Sequence, residues 1–304
     1  MKSDASTLAV SPVLRVKTEG NDKRQRIWEV DVLRGLFFIF VFLYHLTWDI
    51  SMIPSVFSNY YDASSESLRS LVKFCDSILY LPNIDVGVDI VAGAFLVLTG
   101  VCCALSHDNL LRGLKIFSWG EVLTLVTLLI VLIGQTNELI VFGILHCIGF
   151  TVLLYGLYQR LERKLKFDTN PLVFIGLGLL ICILGYMFIY GLHSREAQYG
   201  NLIGFGKMNM KNIIGIVVGT KSTYGDTFSL FPNAGKILIG IGLGKLLYGK
   251  RRGKKSLCPK ADGWWFRPVE FVGRHSLLLY LAEQALAWVV IVAVLLPMGF
   301  TPGF

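Results

Sequence analysis

Long apolar runs alternate along this chain with shorter polar stretches, and the length of the runs decides what they are. A helix that crosses a bilayer needs ~20 predominantly apolar residues. Runs approaching that length lie near 28–48, 86–106, 116–134, 139–158, 171–192, 229–248 and 271–297. The pattern predicts an all-α, polytopic transmembrane helix bundle of about seven spans. Two intervening stretches, 50–85 and 193–228, are together rich in Gly, Asn, Ser and Tyr, with the glycines all in the second. They are expected to be long outer loops, serving either as lids or as plain connectors. Inside the second, Ile213 to Val218 is apolar but too short to cross. Such a piece dips into the membrane or caps the bundle, since irregular backbone at that depth is tolerated only against protein or water. Residues 1–25 are polar and charged and read as a disordered cytoplasmic tail with no signal-peptide pattern. Residues 26–304 read as a single membrane-embedded domain.

Composition supports a lipid setting: 54% of residues are hydrophobic and 16% charged, with a mean hydropathy of +0.59, outside the usual range for a soluble domain. Basic residues fall in four groups. Lys17, Lys23, Arg24 and Arg26 lie in the tail, and Arg112 and Lys115 after the second span. Arg160, Arg163, Lys164 and Lys166 follow the fourth span, and a dense run from Lys245 to Lys255 follows the sixth. Seven spans put all four groups on one side, which the positive-inside rule makes cytoplasmic. The carboxyl terminus is then outside, as expected of a multi-pass protein of the cell membrane. The net charge of +8 reads as topology signal and attraction to anionic lipid, and argues for no nucleic-acid partner. Of six cysteines, Cys102, Cys103, Cys147 and Cys182 lie in apolar spans, Cys258 faces the cytoplasm and only Cys75 falls outside. That distribution is no disulfide framework, and no ligand spacing predicts a metal.

Against this background the polar positions inside the spans carry the candidate chemistry. The first span reads WEVDVLRGLFFIFVFLYHLTWD, and Asp31, Arg34, Phe38, Val41, His45 and Asp49 share one helical stripe. Ionisable groups at membrane depth are costly, face the bundle interior and are by default functional; the plainer reading is buried pairs that only hold helices together. In the fourth span His146 stands between Gly143 and Gly149, leaving room for a ligand or for a closely packed helix. The second span brings Asp85 to its mouth and Asp89 just inside. A histidine with a carboxylate is the minimum for general-base work, and either Asp49 or Asp89 suits His45. In the seventh span Ser276, Tyr280 and Glu283 share a face, with Arg274 and His275 as interface anchors nearer the cytoplasm. Asp85 and Glu283 are candidates for substrate binding. Arg34, Arg112 and Lys115, near the cytoplasm, suit the phosphates of a nucleotide-like donor. Trp48, Tyr60, Tyr61, Tyr199, Tyr224 and Phe228 suit stacking on a sugar face, or an interfacial belt.

Six segments in order, EVDVLRGLFFIFVFLYH, DIVAGAFLVLTGVCCALS, NLLRGLKIFSWGEVLTLVT, FGILHCIGFTVLL, TFSLFPNAGKILIGIGLGKLLY and FVGRHSLLLYLAEQ, resemble the heparan-α-glucosaminide N-acetyltransferase catalytic-domain family in its short prokaryotic form. The Arg34-x10-His45 spacing is also similar to that of the wider membrane acyltransferases of cell-surface sugars. The resemblance implies a bundle that takes an acetyl group from cytoplasmic acetyl-CoA and passes it to an extracytoplasmic glycan or amino-sugar acceptor. It implies His45 as the catalytic histidine, a base or transient acyl acceptor, with Arg34, Asp89 and His146 as site members. It implies no permanently bound cofactor. The chain departs from lysosomal relatives, which use a histidine in the following outer loop, since 50–85 contains none. It also carries LAEQ, with Glu283, where many relatives have histidine. A proton-coupled transporter would use the same Asp/Arg/His stripe, but the spans lack the inverted repeats and paired broken helices of that class.

Overall fold

In lipid every backbone amide needs an internal partner, and the computed structural model is helical over most of the described part of each apolar run. It describes residues 27–134, 139–187, 203–223, 226–249, 256–261 and 263–303. The amino-terminal tail, Tyr199, Tyr224 and the Arg251–Lys255 bases lie outside the described residues. The helices are α1 (Trp28–Val56), α2 (Tyr60–Ala63), α3 (Glu66–Leu79), α4 (Ile84–Leu105), α5 (Asn109–Leu132), α6 (Ile144–Leu165), α7 (Pro171–Gly185), α8 (Met210–Val218), α9 (Leu230–Tyr248) and α10 (Arg267–Leu295). The expected all-α architecture is observed. Six helices, α1, α4, α5, α6, α9 and α10 with the turn before it, are long and apolar enough to cross a membrane, and α7 is a shorter apolar helix.

Contacts between helices fix their relative directions. α1 and α10 run parallel, with Asp31 beside Arg274 at one end and the Phe57 and Phe300 rings 5.7 Å apart at the other. α4 is antiparallel to α1: Val30 packs with Val101 and Cys102, whereas Asp85 and Asp89 lie within electrostatic range of Tyr44. α9 parallels α4, with Lys236 beside Gly93 and Gly244 beside Val101. α5 and α6 are antiparallel, as are α7 and α9, where Gly185 meets Pro232 and Gly242 meets Pro171. α6 parallels α9, with Cys147 beside Ser229 at one end and Glu162 beside Lys245 at the other, so the seven helices alternate in direction along the chain, six of them long enough to cross a membrane. Leu96, Ile116, Ile148, Val152, Phe174, Ile237 and Ile241 form the main apolar core between α4, α5, α6, α7 and α9.

Several expected boundaries and loops are corrected. Residues 50–85 are mostly helical. α1 continues to Val56, and α3 starts where Ser65 accepts from the Leu68 amide at 3.3 Å, its next turns burying Val72 and Cys75. The serines that suggest a loop are therefore caps and in-helix hydroxyls, such as the buried Ser51 and the exposed Ser55, which return to carbonyls one turn back. Arg112 and Lys115 are not in a loop either, because Asp108 caps α5 from the Leu111 amide at 3.3 Å and puts both bases in its first turns. α6 likewise runs on through Arg160, Arg163 and Lys164, ending at Lys166 in the left-handed conformation (φ 56°). Helix ends here follow caps rather than the edges of hydropathy. Ile213 to Val218 belongs to α8, which buries Ile216 against Phe142 and Cys147 as a cap on the bundle.

Candidate active site

Two glycines bring α1 and α10 together. A Cβ on Gly273 would stand 1.8 Å from the Asp31 carbonyl oxygen, and one on Gly35 2.1 Å from that of Val269. Only hydrogen at both positions lets the backbones approach this closely, and the approach sets the register of two polar faces. Each ionisable residue of the α1 stripe then meets α10. Arg274 Nε donates to Asp31 Oδ2 at 3.4 Å, and Arg34 Nη2 donates to Ser276 Oγ at 2.8 Å. His45 Nδ1 lies 2.5 Å from Glu283 Oε1, and Gln284 Nε2 donates to Asp49 Oδ1 at 2.6 Å.

The third of these contacts has the form of an acid–base pair. Glu283 is buried, while the His45 side chain remains 35% exposed. With Nδ1 engaged by the carboxylate, Nε2 is the nitrogen left for chemistry, and the buried anion both fixes that tautomer and stabilises the imidazolium. Sequence leaves Asp49 and Asp89 open as partners for His45, and the geometry puts Glu283 in that place. Asp49, 2% exposed, is engaged by Gln284 with Trp288 alongside. Asp85 and Asp89 are exposed on α4 and face Tyr44.

His146 is held in a separate place. It is 2% exposed between α5 and α6, its Nδ1 accepting from the Gly143 amide at 3.2 Å and its Nε2 lying 3.3 Å from Thr124 Oγ1 and 3.8 Å from Glu121 Oε1. The room beside it comes from Gly120 of α5, where a Cβ would stand 3.0 Å from the ring, whereas Gly149 is packed beneath the Phe117 backbone. No direct hydrogen bond joins His146 to His45, whose ring is engaged by Glu283.

Toward the other end of α1, Arg34 and Arg112 both lie within electrostatic range of the buried Cys103, and Arg112 also bonds the Cys102 side chain. Two guanidinium groups thus converge on one stretch of α4. Lys115 is exposed beside Ser118 and Trp119 in a shallow groove on α5. Of the aromatic candidates, Tyr60 is core, 4% exposed among Phe57, Val72, Leu295 and Phe300, while Tyr61 is 74% exposed.

Spacing along the sequence does not bring out two further polar residues of the structure. Lys236 sits on α9 with Nζ donating to Asn233 Oδ1 at 2.9 Å; a lysine inside AGKILIGIG was itself a signal. Asp226, in the loop before α9, lies within electrostatic range of His45, and nothing in the local sequence marked it.

An alternating bundle of apolar helices, six of them long enough to cross a membrane, with a histidine–glutamate pair across two of them, has the architecture of a polytopic membrane protein. The chain belongs to the family described as heparan-alpha-glucosaminide N-acetyltransferase, catalytic, which matches residues 26–285. Membership implies a membrane acetyltransferase. No curated protein and no solved structure matches the chain. Among the described residues no cluster of His, Cys, Asp or Glu could hold a metal ion.

Proposed function

We propose that this protein takes the acetyl group of acetyl-CoA, bound from the cytoplasmic side, and transfers it to a sugar amine or hydroxyl on the far side of the cell membrane. The observation that carries the reading is the His45–Glu283 pair. His45 Nε2 removes the proton of the acceptor as its nitrogen or oxygen attacks the thioester carbonyl. The tetrahedral intermediate then collapses, the C–S bond breaks, and the proton passes from the imidazolium to the departing CoA thiolate. Glu283 supports the cation in between.

Arg34 and Arg112, with Lys115 nearer the surface, hold the CoA phosphates, for which guanidinium offers paired planar donors. Arg34 precedes His45 by eleven residues, roughly 16 Å at ~1.5 Å per residue. An extended pantetheine arm spans that gap, so phosphates near Arg34 bring the thioester to His45. Asp49 keeps Gln284 and the end of the ladder in place. Asp85 and Asp89 receive the acceptor at the outer mouth, and His146 supports the start of α6.

Purified protein incubated with acetyl-CoA and glucosamine tests the reading. Acetylglucosamine should form, and His45→Ala should reduce its formation by at least ~10²-fold, the scale of a lost acid–base group. Solute uptake by proteoliposomes with no acetyl transfer would assign the same stripe to a transporter instead.

A further inference from the structure

Among the described residues, Asp226 is the one carboxylate within electrostatic range of His45 that arrives from neither α1 nor α10. Its loop is stapled to the segment preceding α6 by a backbone bond from the Phe228 amide to the Phe142 carbonyl at 2.9 Å. Asp226 Oδ2 lies 3.3 Å from where a Cβ on Gly143 would stand, so glycine there makes room for the carboxylate. The carboxylate accepts from the amide of Ile144, the first residue of α6. Its neighbour, the Gly143 amide, donates to His146 Nδ1 at 3.2 Å. Two successive amides at the start of α6 are thus satisfied, one by the histidine and one by Asp226, and the position of the Asp226 carboxylate is fixed from two directions.

A carboxylate offers about four acceptor sites, and the Ile144 amide uses one of them. The residue is exposed although protein surrounds it at longer range; that depth pushes its carboxyl above the ordinary range, opposed by His45 and the Ile144 amide. It also lies within electrostatic range of the Tyr280 hydroxyl, which Glu283 reaches as well. Glu283 is committed to His45 and buried. Asp226 is held in place, accessible and within electrostatic range of His45, which is what a group that meets an incoming donor requires.

We propose that Asp226 positions the acceptor, taking a hydrogen bond from the ammonium or hydroxyl adjoining the attacking atom and holding that atom toward His45. This inference rests on the acetyl-transfer reading above and adds a second, acceptor-side carboxylate to its site. The competing explanation is that Asp226 serves only as a cap for α6.

Asparagine separates the two, because Asp226→Asn keeps an oxygen for the Ile144 amide and removes the charge. With glucosamine as acceptor probe and acetyl-CoA as donor, the Asp226→Asn protein should show a KM for glucosamine raised at least about tenfold, the scale of a lost charge-assisted hydrogen bond. Its KM for acetyl-CoA should stay within about twofold of wild type. Asp226→Glu keeps the charge on a longer stem and should recover part of the lost acceptor affinity. An Asp226→Asn protein with wild-type constants, beside an unstable Asp226→Ala protein, would reduce Asp226 to a cap and overturn the proposal. Equal losses toward donor and acceptor, or equal behaviour of the Asn and Glu variants, would overturn it too. Should His45→Ala retain transfer, the acetyl-transfer reading itself falls. A dead His45→Ala protein with a normal Asp226→Asn protein removes only the role given to Asp226.

Discussion

At the scale of single residues, the pairing of His45 with a buried glutamate separates chemistry from scaffolding. His45→Ala strands Glu283 as an unpartnered buried carboxylate, and such groups are costly. That variant should therefore lose both activity and thermal stability. Adding Glu283→Gln removes the stranded charge, so the double variant should melt closer to wild type in a thermal-shift assay while acetyl transfer stays absent. Recovery of activity along with stability would mean that the pair is only structural. Glu283→Gln alone leaves the imidazole but withdraws the anion that supports its protonated form, and kcat should fall by ~10² or more with little change in donor KM. Arg34 calls for a different readout. Arg34→Ala should weaken CoA binding in calorimetry, with Arg34→Lys intermediate because it keeps charge and loses the planar fork. Ser276→Ala, which removes a neutral partner of Arg34, should cost only about 1 kcal/mol of stability.

At the scale of elements, the α1–α10 contact carries the site, and its weak point is glycine. Gly273→Val would drive a side chain into the Asp31 carbonyl. The helices must then separate, at a cost of about 1–3 kcal/mol or more for overpacking. Because the same separation pulls His45 from Glu283, acetyl transfer should fall further than stability does, which paired melting and activity measurements will register. This interface also marks how far the sequence was legible. The stripe on α1 and the Ser276–Tyr280–Glu283 face of α10 could be read from helical spacing alone, because i, i+3 and i+4 positions share a face whatever the fold. What spacing does not contain is which two faces meet; residues some 240 positions apart are joined by packing, so Asp49 and Asp89 looked as good for His45 as Glu283. Ser and Asn in 50–85 resembled a loop because the same residues that fill turns also cap helices and line their surfaces. His146 between two glycines looked open, yet the space belongs to Gly120 on another helix. Asp226 was invisible because its place depends on a loop staple to Phe142.

At the scale of the molecule, alternating directions give a topology that labelling can check. With the amino terminus placed in the cytoplasm, cysteines substituted for Lys164 and Lys221 should react with an impermeant reagent from opposite faces of oriented vesicles, since the ends of α6 separate them. Labelling from one face would break the seven-crossing scheme. The parallel setting of α1 and α10 has a further consequence, for how the protein is made. The stripe of α1 carries Asp31, Arg34, His45 and Asp49, yet its partners belong to the last long helix, and His45 and Glu283 are 238 residues apart. At ~5–20 residues per second of synthesis, that interval lasts roughly 10–50 seconds. Throughout it, the first helix must lodge in the membrane with His45 and Asp49 unmatched, although Asp31 and Arg34 pair with each other at 4.0 Å. A nascent chain stopped short of α10 should therefore be bound by membrane chaperones and cleared quickly, and the same fragment with Asp31, Arg34, His45 and Asp49 neutralised should persist. The first helix is thus legible to cellular quality control as unfinished until the last one arrives.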